Sequence, residues 1–287
     1  GEIEGAEATT FDTQGWTQVT LPHAYNQEEA FLKAIDEHST GIVWYRKNFI
    51  LPEDAKGQKI FLEFEGIRQG GTIYVNGKQV GLHENGVMAF GLDVSDIVVF
   101  DGKENSIALR IDNDWHYRQR STNATYRWNN INFNANYGGI PKNVFLHVTD
   151  KLYQTLPLYS NLKTTGVYVY ATDFDIPQAA ATVHVESEVK NEYDTSKTFQ
   201  YSVAVFDLDN KKVAEFSGAE TSRKCRGSDL KGDRVTLRDY ADVSATAKQV
   251  RERFEQRLIT KIRSSTINGQ GQVVNYRPGV AEANRKA

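Results

Sequence analysis

The chain has 287 residues, of which 39% are hydrophobic, 25% charged and 11% aromatic, and its net charge is -3. That length allows two domains with cores of their own, and the near-neutral balance removes any whole-chain argument for a nucleic-acid partner. The single cysteine, Cys225, excludes an internal disulfide and a cysteine-rich metal site. No apolar run approaches the ~20 residues of a membrane-spanning helix, so no membrane partner is expected. The chain opens on Gly1 with no apolar leader and is read as a processed or cut product.

In chain order, Gly1 to Gln14 is polar and is expected to be a poorly anchored lead-in. Trp16 to Pro22 reads as a short strand that stops at a proline, which has no ladder donor. His23 to Thr40 holds few large apolar residues after Tyr25, namely Phe31, Leu32 and Ile35. It reads as a long loop with one helical turn, and long loops in compact domains tend to be functional. Ile42 to Leu51 is a strand closed by Pro52, with Tyr45, Lys47 and Phe49 on one face. From Lys59 to Gly66, Ile60, Leu62 and Phe64 alternate with Phe61, Glu63 and Glu65, which predicts one buried face and one mostly wet face. Asn76-Gly77 sits between alternating apolar runs and predicts a hairpin, because both residues tolerate the positive φ of a type I′ turn. Further strands are expected over Val87 to Val94, around Ile107, Leu109 and Ile111, and over Asn143 to Val148. Many short strands at this spacing predict an all-β jelly-roll sandwich over residues 1–155.

Lys151 to Lys163 reads as a connector. Beyond it, Val167 to Tyr170, Ala181 to Val189, Phe199 to Phe206 and Lys212 to Phe216 predict a second, incomplete immunoglobulin-like β-sandwich over residues 156–218. After Gly218 the character changes. Residues 219–287 carry a net charge of +7 against -10 for the preceding part, and only 3 of the 32 aromatics, Tyr240, Phe254 and Tyr276. This tail is expected to be irregular or helical and non-native to the fold, with an amphipathic helix over residues 246–263 from Val250, Phe254, Leu258 and Ile262. Its charges are scattered and lack stacking aromatics, so it is not read as a nucleic-acid arm.

A set of short motifs carries a family resemblance. In order they are Trp16, Leu21-Pro22-His23, Trp44-Tyr45-Arg46-Lys47, Phe64-Glu65-Gly66, Tyr74-Val75-Asn76-Gly77-Lys78 with Val80-Gly81, Asp112-Asn113 and Gly138-Gly139-Ile140-Pro141-Lys142-Asn143-Val144. This resembles the N-terminal sugar-binding domain of glycoside hydrolase family 2, the β-galactosidase and β-glucuronidase family, from about Trp16 to Asp150, with a weaker extension toward Gly218. The resemblance implies a parent enzyme of carbohydrate metabolism that hydrolyses β-glycosidic bonds, a β-galactoside being the favoured substrate, without a cofactor and in a periplasmic or secreted location. Retaining glycosidases use two carboxyl groups about 5–5.5 Å apart. In this family both come from a (β/α)₈ barrel that follows the β-domains, and such a barrel takes roughly 250 residues. The 69 residues after Gly218 show no strand–helix alternation. The fragment alone is therefore expected to be inactive, and the barrel is its expected partner. Asn191-Glu192 echoes the family's acid/base dipeptide but falls in a predicted strand or turn, and is read as chance.

Sugar sites combine aromatic faces with amide and carboxylate side chains. Two stretches have that composition, His23 to Asn26 and Asp114 to Tyr137. The substrate-binding candidates are His23, Asn26, Trp128, Asn132 and Asn134. Asn26 matches a family sugar contact by position, whereas Phe133 stands where the family has a contacting aspartate, a departure from the usual pockets. Each candidate also has a structural reading: His23 as a hydrogen bonder, Trp128 as a loop anchor, the asparagines as turn residues. Trp16, Trp44 and Tyr45 are assigned to the core. His83, Glu84 and Asp112 have no fixed spacing, so no metal is expected. Two other readings stay open, a free-standing carbohydrate-binding module and a structural domain that docks on a barrel.

Overall fold

A computed structural model describes residues 1–125, 135–177, 180–206, 209–217, 221–223, 233–242, 262–267 and 273–275. The chain divides into two units, Gly1–Val148 with Ser160–Leu162, and Thr149–Tyr159 with Lys163–Ala287.

The first unit contains β1 (His23–Ala24), α1 (Glu29–Leu32), β2 (Ile42–Ile50), β3 (Lys59–Phe64), β4 (Gly70–Val75), β5 (Lys78–Glu84), β6 (Phe90–Asp93), β7 (Glu104–Asp112), β8 (Gly139–Ile140) and β9 (Val144–Thr149). Antiparallel pairing builds a four-stranded sheet β2-β7-β4-β5, a three-stranded sheet β6-β3-β9 and a short β1-β8 ladder. The alternation predicted for β3 places Ile60, Leu62 and Phe64 in one core with Ile73 and Val75 of β4, Phe90 and Leu92 of β6 and Ile107, Leu109 and Ile111 of β7. Phe64 and Phe90 stack with ring centroids 4.8 Å apart. Side chains of both sheets share this core, the arrangement of a β-sandwich.

The Asn76-Gly77 hairpin is present, with φ of +49° and +76°. The Asn76 amide donates to the Oδ1 of buried Asn105 at 2.8 Å, and its Oδ1 accepts the Ser106 N–H at 2.9 Å. The turn residue thus also fastens β4 and β5 to the start of β7.

Several local expectations change. The lead-in is anchored: Glu2 pairs with Arg110 at 2.6 Å, Arg46 donates to the Ala6 carbonyl, and Ala6 packs with Trp44 and Ala108. Trp16 joins this cluster beside Phe11 instead of forming a strand, and the strand that does form starts after Pro22. The N-terminal segment therefore covers the outer face of β2. Phe61, assigned to the wet face of β3, is only 4% exposed, with the Lys59 ammonium 5.7 Å from its ring centroid.

The second unit holds β10 (Leu152–Gln154), β11 (Val167–Asp175), β12 (Ala180–Asn191), β13 (Lys197–Phe199), β14 (Tyr201–Phe206), β15 (Lys212–Ser217), β16 (Thr221–Arg223), β17 (Asp233–Asp242), β18 (Ile262–Ile267) and β19 (Val273–Asn275). β12 pairs with β10, β11 and β17, and a second sheet runs β15-β14-β18-β19. Part of the expected connector is therefore the strand β10. The tail differs too: its described residues include strands, and β17 pairs with β12 without interruption from Thr182↔Asp242 to Asn191↔Asp233. Val235, Leu237 and Ala241 alternate with Arg234, Thr236 and Arg238, with Asp239 the one break on the apolar side, and ladder hydrogen bonds are made by the backbone, whatever the side chains. Residues 246–261 of the expected helix lie outside the described residues, and Ile262 and Arg263 open β18.

His83 of β5 is 5% exposed, with its ring centroid 3.9 Å from that of Phe90. Burial lowers its pKa from 6.5 to about 4. The unfolded chain then takes up a proton that the folded chain refuses, so stability is complete above pH ~6.5 and is lost as the pH falls through ~4, by at most about 3 kcal/mol. The urea midpoint of the chain is expected to fall over this window and His83→Phe to flatten the fall; an unchanged slope excludes His83 as the acid-sensitive group.

Candidate functional site

The β1-β8 ladder pairs His23 with Ile140 and Ala24 with Gly139. It brings the loop after Pro22 beside the segment that ends at Ile140. Three buried asparagines lock these pieces together. Asn113 accepts the Tyr25 hydroxyl at 2.9 Å and the Gly41 N–H at 3.0 Å, and donates to the Asn136 carbonyl at 3.1 Å. Asn136 donates back to the Asn113 carbonyl at 2.6 Å and accepts from Arg68 Nε at 3.5 Å. Asn26 donates to the carbonyls of Ser39 and Asn136, both at 2.8 Å, and accepts the Gly138 N–H at 2.9 Å. Asn26 is 2% exposed and uses both amide protons within the protein, so its observed contacts are those of a loop anchor.

The approach of the two segments depends on glycine. Gly139 has φ +135°, and a Cβ there would lie 2.4 Å from the Tyr45 hydroxyl oxygen and 2.8 Å from the His23 carbonyl. His23 in turn is held by Tyr45, with Nδ1 2.8 Å from the phenol oxygen and the rings edge to face. Burial raises the Tyr45 pKa, so its phenol stays a neutral hydroxyl beside the imidazole.

His23 lines an open cleft of about 340 Å³ together with Gln27, Glu28, Phe31, Tyr137 and Pro141. Phe31 projects from α1 and is 87% exposed. The single helical turn that carries it is tied down by Glu29, which accepts the Ser39 hydroxyl at 2.7 Å, the Ser39 N–H at 2.6 Å and Lys33 Nζ at 2.9 Å. Those bonds, the Ser39 hydroxyl first, lower the Glu29 pKa to about 2. Gln27 and Glu28 were not singled out from sequence. Phe31 carried a signal, as an aromatic in a polar loop. Trp128, Asn132 and Asn134, with Phe133, lie outside the described residues.

Glu84, Asp112 and Glu192 have structural partners. Glu84 accepts the Tyr117 hydroxyl and the Arg120 N–H, each at 2.7 Å, while Asp112 accepts the Asp114 N–H at 3.0 Å. Among the described residues no group of three His, Cys, Asp or Glu side chains is arranged to hold a metal ion. Glu192, the residue after β12, accepts the Tyr153 hydroxyl at 2.6 Å and is paired with Lys190.

The family profile described as glycosyl hydrolase 2 galactose-binding domain-like matches residues 18–154. Those residues are the galactose-binding-like N-terminal domain of glycoside hydrolase family 2. A β-glucuronidase of Formosa agariphila is 38% identical over 218 residues, 73% of this chain and 22% of the relative. A β-galactosidase of Thermoanaerobacter pseudethanolicus is 33% identical over 115 residues, 40% of this chain and 15% of the relative. Among solved structures, a family 2 β-glucuronidase aligns with a TM-score of 0.78 and 29% identity, over 96% of this chain and 28% of that one. The chain thus spans about a fifth of the length of its curated family 2 relatives. The β-sandwich and the motif order anticipated from sequence agree with this family domain.

Asn113 is the hub of the family 2 domain's loop anchor. Asn113→Ala leaves buried donors and acceptors without partners and is expected to destabilise the chain by about 3 kcal/mol. Hydrogen exchange should quicken over residues 24–41 and 136–139; unchanged protection there would show that the asparagine network does not hold the loop.

Proposed function

We propose that this chain is the sugar-recognition portion of a larger family 2 β-glycosidase, acting on β-galactosides or β-glucuronides with catalytic carboxylates carried by a barrel domain of the parent protein. The family assignment and the chain's short span of its relatives support the larger enzyme, and the relatives' names support the two substrate classes.

The observation that carries the recognition role is the cleft. A hexose presents an apolar C–H face and a rim of hydroxyls. The exposed Phe31 and the half-buried Tyr137 offer rings to that face, and Gln27, Glu28 and His23 offer donors and acceptors to the rim. His23 remains a binding candidate on this reading. Trp128, Asn132 and Asn134 remain candidates by composition. Asn26 acts one step back, by holding the loop that carries Gln27 to Phe31. Hydrolysis itself requires a carboxyl pair at about 5–5.5 Å for retention or about 6.5–9.5 Å for inversion. The chain's Asn-Glu dipeptide is not proposed for that role, because Glu192 is engaged by Tyr153 and Lys190.

The purified chain is expected to show no turnover of aryl β-galactosides or aryl β-glucuronides. Turnover abolished by Glu192→Gln would place catalysis within the chain and defeat the proposal. In sugar titrations Phe31→Ala should weaken binding about tenfold, the scale of a lost stacking contact. Its thermal midpoint should be unchanged, since the side chain is 87% exposed.

A further inference from the structure

We infer that Tyr45 is a positioning residue: its hydroxyl donates to His23 Nδ1, which fixes the imidazole as the Nε2–H tautomer and presents that N–H to the cleft as a donor for a sugar oxygen. The inference rests on the reading of this cleft as a sugar site and adds the direction of one of its hydrogen bonds.

A neutral imidazole carries one donor and one acceptor, and the bond made at one nitrogen decides which is which. The Tyr45 oxygen lies 2.8 Å from His23 Nδ1 and 3.5 Å from the His23 carbonyl oxygen. If Nδ1 carried the proton, it would donate to the phenol. The phenol proton would then be left with the carbonyl at 3.5 Å, beyond the ~2.5–3.0 Å of a normal O–H···O bond. If the phenol donates, its one proton makes the short bond and the imidazole supplies its lone pair, so no donor is left over. Burial keeps the phenol a neutral hydroxyl, so that proton is there to be given. Gly139 closes the space beside the phenol, where a Cβ would lie 2.4 Å from the oxygen.

The other nitrogen is the one left for a ligand. His23 Nε2 makes no hydrogen bond among the described residues, and the His23 ring lines the cleft with Gln27, Glu28, Phe31 and Tyr137. Protonated, Nε2 only donates; unprotonated, it only accepts. Every hydroxyl, ring and glycosidic oxygen of a hexose has a lone pair to meet such a donor, however the hydroxyl protons are turned. The orientation of the donor is set from β2, because Tyr45 holds the imidazole both through Nδ1 and edge to face, with ring centroids 5.8 Å apart and planes at 70°. A tautomer fixed in advance also spares the free chain a division between two states. With both equally populated and one competent, apparent affinity would fall about twofold.

The test is NMR of the full 15N-labelled chain at about pH 8.5, where imidazoles are uncharged. Two-bond 15N–1H correlations distinguish a protonated ring nitrogen from an unprotonated one, and the His23 signals are assigned by their loss in His23→Gln. Wild-type His23 should show a single tautomer, with Nδ1 unprotonated and Nε2 protonated. Tyr45→Phe should move it toward a mixture of the two. Methyl β-D-galactopyranoside should shift the wild-type Nε2 signal and bind Tyr45→Phe about twofold more weakly. A wild-type Nδ1–H tautomer, or a tautomer that Tyr45→Phe leaves unchanged, overturns the inference and leaves the sugar-site reading standing. If the variant fails to fold, the wild-type spectrum by itself decides the tautomer. A sugar that shifts the Gln27 and Tyr137 amides but not His23 Nε2 likewise overturns the inference alone. No response at the cleft overturns both.

Discussion

The first unit depends on how backbone groups are satisfied where its strands end and its loops begin. Inside a sandwich each N–H and C=O has a ladder partner, but a chain leaving the sheet loses that partner, and burial then carries a penalty. Here Asn26, Asn113 and Asn136 supply what the ladder no longer does. Each carries a donor and an acceptor on one short side chain. Between them they serve the carbonyls of Ser39, Asn113 and Asn136 and the N–H groups of Gly41 and Gly138. These three asparagines are retained at 0–2% exposure because each of them closes a circuit of this kind.

That anchoring makes an exposed recognition surface feasible. A loop carrying Gln27, Glu28 and Phe31 to solvent has almost no apolar burial of its own to hold it. Its geometry comes from below through Asn26, from the side through Glu29 on Ser39, and from the His23–Tyr45 contact at its root. Gly138 and Gly139 let the opposing segment come close enough to complete the anchor, since a Cβ at Gly138 would lie 2.3 Å from the Tyr25 ring. Rigid support under an exposed aromatic lowers the entropy lost when a ligand stacks on it.

The two units differ in how far pattern alone exposes them. In the first, β3 and the Asn76-Gly77 hairpin are legible because burial on one face imposes a period of two and the turn demands positive φ. The anchored N-terminal segment was not legible. Its contacts are to backbone and to residues far along the chain, Glu2 to Arg110 and Arg46 to Ala6, and a polar stretch gives no local sign of such partners. In the second unit the aromatic and acidic pattern fades after Gly218, yet β17 pairs with β12, β18 with β14 and β19 with β18. Strand addition to an existing edge is driven by backbone groups, which composition does not report.

By itself the sequence determined the all-β class, the hairpin, the family motifs and the aromatic and amide content of the stretches considered for sugar recognition. These are written in local spacing and residue type, where steric limits on φ and the two-residue period of a strand act. Only the tertiary structure decided which of those residues face solvent and which face one another. It turned Asn26 and Asn136 into anchors and joined Tyr137 to Gln27, Glu28 and Phe31 across more than a hundred residues of chain. Those outcomes follow from long-range pairing and burial, which no stretch of sequence specifies alone.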